Sequence, residues 1–122
     1  MTHKTKEFEL PLYGEVTTVC LTDNFKRSAG IILGKKFLSS QGDFFECDNL
    51  DGAFLQGDTG SAILLGADCS IGIIVHESFH FVESMLMSRG LLLTIDTSEA
   101  YAYAIGHCTS SIIEIVNELR LK

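Results

Sequence analysis

Residues 68–90, DCSIGIIVHESFHFVESMLMSRG, constrain this chain more than any other stretch. Ile71, Ile74, Val75, Phe79, Val82 and Leu86 recur at the spacing of one face of an α-helix. Asp68 or Ser70 can cap its start, and Gly90 suits the left-handed position just past its end. The spacing therefore predicts a long helix, with SIGII burying its first turns and Phe79 facing inward.

Shorter elements surround it. Phe8 to Tyr13 and Val16 to Leu21 are rich in β-formers and flank a glycine turn, which predicts a hairpin. Thr22 or Asp23 can cap a helix in which Phe25, Ala29, Ile32 and Leu33 share a face, and Gly34 can end it. A second hairpin is predicted from Ala53–Leu55 and Ala62–Leu65 around GDTG. Residues 35–49 carry Phe37, Leu38, Phe44 and Phe45 without a readable period. A last helix runs from Asp96 toward Arg120, with a bend expected near Gly106. Strands, helix, strands, helix, helix is an α+β order around a small sheet. With 122 residues, one proline and no repeat, a single domain is expected, loose only in its first few residues.

The bulk chemistry excludes several roles. A formal net charge of −7 argues against binding to nucleic acid, which needs a basic patch. No run reaches the roughly 18 apolar residues of a membrane span, and the polar start lacks a secretory pattern. Cys20, Cys47, Cys69 and Cys108 are scattered, which favours reduced thiols in a cytosol over disulfides or a cysteine-held structural zinc.

Within the long helix, His76-Glu77-Ser78-Phe79-His80 reads H-E-x-x-H. At 100° and 1.5 Å per residue, the histidines lie about 40° and about 6 Å apart, so both imidazoles can converge on one ion. Glu77 points about 100° from His76, poorly placed as a ligand but able to reach a water as a general base. The plain alternative is a helix with two surface histidines. A catalytic zinc also needs a third protein ligand. Glu83 lies about 10.5 Å of axial rise from His76, too far to share an ion without bending the helix. Glu99, opening the next helix, is the better candidate if two antiparallel helices face each other. It also stands three residues after Asp96, the spacing of a capping box, so capping is the competing role.

His80, eighteen residues and then Glu99 resembles the gluzincin metallopeptidases, which pair H-E-x-x-H with a glutamate on a following helix. The run HESFHFVESMLMSRGLLLTIDTSEAYAYAIGH is also similar to small metallopeptidase-like proteins of bacteriophages, with Glu99, Ala102 and Tyr103 matching their E-x-x-AY pattern. The likeness covers about Gly60 to His107. It implies a zincin-like domain with a short mixed or antiparallel sheet. It implies zinc held by His76, His80 and Glu99, with Glu77 as the base. GSAILLG, before the motif, resembles the edge strand that aligns a peptide beside such sites. Tyr103 stands where thermolysin-like enzymes carry an aspartate that orients a ligand histidine, so it is open between an orienting role and core packing. His107 is open between steadying the oxyanion and an ordinary histidine.

Two functions from different classes follow. One is a zinc peptidase acting on a peptide or protein substrate, with a host or phage protein as candidate. The other is a non-catalytic zincin-scaffold protein of a phage or mobile element that inhibits or recruits a host protein. Structural zinc, or packed histidines with no metal, is the third. No membrane or nucleic-acid partner is expected, an oligomer is compatible, and the expected compartment is the cytoplasm, the host's if the chain is phage-encoded.

Overall fold

The computed structural model describes residues 2–42, 44–46 and 51–122. It is an α+β fold with a four-stranded mixed sheet and four helices. In chain order, β1 (His3–Leu10) and β2 (Glu15–Thr22) lead to α1 (Phe25–Leu33) and α2 (Lys35–Ser40). A short 3-10 turn, Phe44–Glu46, precedes β3 (Gly52–Gln56) and β4 (Ser61–Leu65). The long helices α3 (Ile71–Ser88) and α4 (Ser98–Arg120) close the chain.

The sheet order is β1-β2-β4-β3. Both predicted hairpins form as antiparallel pairs, β1 with β2 and β3 with β4, but β1 overlaps the predicted Phe8–Tyr13 only over Phe8–Leu10, and residues 11–14 make the turn. They are joined by a parallel pairing of β2 with β4, Thr18 opposite Ala62 through Leu21 opposite Leu65. Central β4 is buried along its whole length, as expected for a strand covered on both faces. Alternation divides its side chains. Ile63 and Leu65 join Val19, Leu21, Phe8 and Leu10 against α3 and α4. Ala62 and Leu64 join Cys20, Ala53 and Leu55 against Ala29 of α1. Across the seam, Ser61 Oγ donates to Thr17 Oγ1 at 2.7 Å in a buried position.

From Thr2 onward the described residues do not form a loose tail. β1 begins at His3, and Thr2 O accepts a hydrogen bond from Asp23 N. Lys4 and Lys6 hide this edge strand from a hydropathy reading, yet Lys6 Nζ pairs with Glu118 Oε2 of α4 at 2.7 Å. Neither Thr22 nor Asp23 caps α1. Asn24 does, its side chain accepting from Arg27 N at 3.0 Å, while Thr22 Oγ1 bonds Asn24 N and O. Gly34 ends that helix at φ 92° as expected.

Cys20, Cys69 and Cys108 are free thiols, and Cys47 lies outside the described residues. Burial pushes the Cys108 thiol up to about 12, and burial also raises Cys20 and Cys69. Only Cys69 of these three is part-exposed. Alkylation of the native protein near neutral pH should therefore mark Cys69 well before Cys20 or Cys108, as read by peptide mapping. Labelling of all three at one rate would contradict the packing described.

Candidate metal centre

Ser70 caps α3, its side chain accepting from Ile73 N at 3.2 Å, so the serine and not Asp68 fills that place. At the other end Leu91 N bonds Leu86 O and Gly90 N bonds Met87 O, with Gly90 at φ 81°. This pair of bonds is the Schellman arrangement, and it fixes where the helix stops. Between these ends the helix is rotated relative to its predicted stripe. Ile74, Glu77, Ser78, Phe81, Val82, Met85 and Leu86 are buried. Ile71 and Val75 are exposed while Ile73 is half-buried and Ile74 buried, so SIGII buries only one side of the first turns. Phe79 is only half-buried, and the phenyl group in the core is Phe81, against Phe8 and Phe54.

His76 and His80 consequently stand on the outer face of α3. Their Nε2 atoms are 3.2 Å apart and their rings are near-perpendicular, with centroids 4.7 Å apart. Two nitrogens each about 2.0–2.1 Å from a tetrahedral ion lie about 3.3 Å from each other. The donor pair therefore fits one ion. His76, Glu77 and His80 place one ligand atom each within 4.8 Å of one another, a group able to hold a metal.

Glu77 differs from the histidines in its surroundings. It is 5% exposed, and its Oε2 lies 3.9 Å from His76 Nε2. Burial pushes its carboxyl up, against the neighbouring imidazoles and the Phe54 backbone N–H, which favour the charged form. The carboxylate sits over the start of β3. A Cβ on Gly52 would lie 2.6 Å from Ile73 Cγ2, 3.1 Å from Glu77 Cγ and 3.2 Å from its Oε2. Glycine is thus what lets α3 approach the strand. The edge strand beside the cluster is accordingly β3, and GSAILLG, as β4, is internal. Sequence reasoning missed Gly52 and Phe54. A glycine opening a predicted strand was the available signal for a close approach.

The remaining candidates are elsewhere. The Tyr101 hydroxyl donates to Leu91 O at 2.6 Å, which sets the first turn of α4 level with the end of α3. Ser88, at that end, is about 12 Å of axial rise beyond His80. Glu99 is exposed in this first turn and is not gathered with the histidines. It does not complete a capping box either, because the N-cap of α4 is Thr97 without a side-chain cap bond. Cys108 of α4 meets Ser78, on the flank of α3 turned away from His76 and His80. Tyr103 is 66% exposed and packs in no core. His107 is exposed, its ring centroid 6.4 Å from that of Phe8 on β1. α4 runs unbroken through Gly106. Glu83, in contrast, lies beside the cluster, Oε1 3.9 Å from His80 Nδ1.

The fold and cluster define a small α+β protein with a His–Glu–His group, two outward histidines and a buried glutamate, that could hold a metal ion. No known protein family matches the chain, and no curated protein or solved structure matches it either. No helix among the described residues is long and apolar enough to cross a membrane.

Proposed function

We propose that the chain is a zinc-dependent peptidase in which His76 and His80 hold the metal and Glu77 is the general base. The observation that carries this reading is the 3.2 Å separation of the two Nε2 atoms with the Glu77 carboxylate 3.9 Å from one of them. Imidazole donors suit zinc, as they also suit copper, iron and nickel, and zinc is the choice that fits hydrolysis without redox chemistry. A zinc ion bound there would polarise a scissile carbonyl and acidify a water. Glu77 takes a proton from the attacking water and returns it to the leaving nitrogen. Burial against β3 restricts its carboxylate to few rotamers, and a base held in place needs no reorganisation at the moment of transfer. Outward-facing histidines suit a chain segment approaching from solvent over a pocket-bound small molecule.

Elemental analysis of protein purified without a metal-binding tag tests the site. Near one zinc per chain is expected after reconstitution, lost in His76→Ala and in His80→Ala. Among the described residues the only side chain gathered with the pair is Glu77, which serves here as the base, so affinity should be weaker than at a site with three committed ligands. No zinc in the reconstituted wild type would sink the proposal. Given zinc, Glu77→Gln should keep the metal and lower cleavage of a peptide library at least ~100-fold.

A second reading is favoured by the openness of the same face. Surface hollows of about 300, 600 and 200 Å³ are lined by other residues than the histidines. A non-catalytic binding protein would present this outer face of α3 to a partner, and Glu77→Gln would then leave its function intact.

A further inference from the structure

The assignment of Nε2 as the metal-facing atom of His80 leaves its other nitrogen to be explained. Nδ1 points to Glu83, one helical turn on, with 3.9 Å between Nδ1 and Oε1. Both side chains are part-exposed, 44% for His80 and 38% for Glu83, so the pair is open to solvent and neither group is trapped by the core. A neutral imidazole carries one proton, on one nitrogen or the other. If the proton is on Nδ1, facing the carboxylate, the Nε2 lone pair is free for a metal. Two lone pairs 3.2 Å apart would repel, so in the metal-free chain the His76 Nε2 then carries the hydrogen between the two rings. One carboxylate thereby sets both tautomers.

We propose that Glu83 is a positioning residue that holds His80 as its Nδ1–H tautomer and so presents Nε2 to the metal. The inference rests on the metal-binding reading above. Glu83 is not itself a ligand, since it stands outside the group whose donor atoms converge. Its contact with His80 is electrostatic at 3.9 Å, and a hydrogen bond would require the two atoms to close to about 3 Å. Carboxylates in this relation to a ligating histidine raise its basicity and fix its ring, and their loss typically weakens metal binding 10–100-fold.

The test has two readouts on the whole chain. Long-range nitrogen–proton correlation spectra of the imidazoles, taken without metal, report tautomers directly. His80 is expected mainly as Nδ1–H and His76 as Nε2–H in the wild type, with His80 shifting toward Nε2–H in Glu83→Ala. Zinc titration should show affinity reduced at least 10-fold in Glu83→Ala. Glu83→Gln keeps an acceptor oxygen for Nδ1–H and should lose less. Circular dichroism checks that each variant folds, as expected at a part-exposed position. Unchanged His80 tautomers, or zinc affinity within twofold of wild type in Glu83→Ala, overturn the inference while leaving the metal site standing. A wild type that takes up no zinc overturns both.

Discussion

Phe81→Ala is expected to lower stability by about 3–5 kcal/mol, the range for truncating a buried phenylalanine. Phe81 is 1% exposed, with the rings of Phe8 on β1 and Phe54 on β3 packed on it at centroid distances of 6.2 and 6.0 Å. It therefore bridges both edges of the sheet from one position on α3. The neighbouring strands are paired on their inner sides and cannot collapse into the space left behind. Against a total stability of about 5–15 kcal/mol, that loss leaves a marginal domain. Urea unfolding followed by circular dichroism reads it, with a midpoint lowered by more than ~1 M for a slope of about 1–3 kcal/mol/M. Phe79→Ala is the control. Half-buried on the histidine side, it should cost about 1 kcal/mol or less by lost apolar area. Equal losses at the two positions would mean that the helix is rotated from the orientation described.

The second large effect is expected at Gly52. Gly52→Ala inserts a methyl 2.6 Å from Ile73 Cγ2, and that atom is a branch methyl close to the helix backbone, unable to swing away like the end of a long chain. Either β3 or α3 must move. Overpacking of this kind costs about 1–3 kcal/mol. The functional consequence is larger than the stability loss suggests, since the same methyl crowds Glu77 Cγ and Oε2 at 3.1 and 3.2 Å. A carboxylate displaced by about 1 Å can cost ~100-fold in rate. Under the peptidase reading, Gly52→Ala should therefore keep zinc, because the methyl's close contacts are Ile73 and Glu77 and neither histidine, and lose most cleavage. Parallel zinc analysis and peptide cleavage separate the two, and unimpaired cleavage in a folded variant would remove Glu77 from the mechanism.

Local signals in the sequence were read well where local chemistry decides. The two hairpins, the Ser70 cap, the Gly90 stop and the helical spacing of His76 and His80 each rest on residues within a few positions of one another. The face that α3 buries departs from its predicted stripe for a physical reason. Polar His76, Glu77 and Ser78 push any hydropathy-based stripe to the far side of the helix, toward Phe79. Two of those three, Glu77 and Ser78, are in fact buried, Glu77 under β3 and Ser78 beside Cys108 of α4. The stripe drawn from Ile71, Ile74, Val75, Phe79, Val82 and Leu86 shares Ile74, Val82 and Leu86 with the face that packs and is displaced from it by roughly 60°. The edge strand was misassigned for a different reason. Nothing near GSAILLG announces that its outer neighbour will be β2, forty-odd residues earlier, with β3 left at the rim. The case for Glu99 needs α4 to face α3 level with the histidines, and the α3–α4 connection sets Glu99 beside the far end of α3.

The parallel seam between β2 and β4 has a consequence for how the chain reaches this structure. Each hairpin can zip from its own turn with little entropy lost, but Thr18 and Ala62 must find each other across the whole of α1, α2 and β3. Long-range pairing of that sort slows folding relative to a bundle of the same size. Two early local units, one carrying the N-terminal edge and one carrying β3, would then dock along a single line that Thr17 and Ser61 seal. Glu77 lies against β3, which the second hairpin already supplies, so the cluster on α3 can become orderly as soon as α3 packs on that unit, before the seam closes.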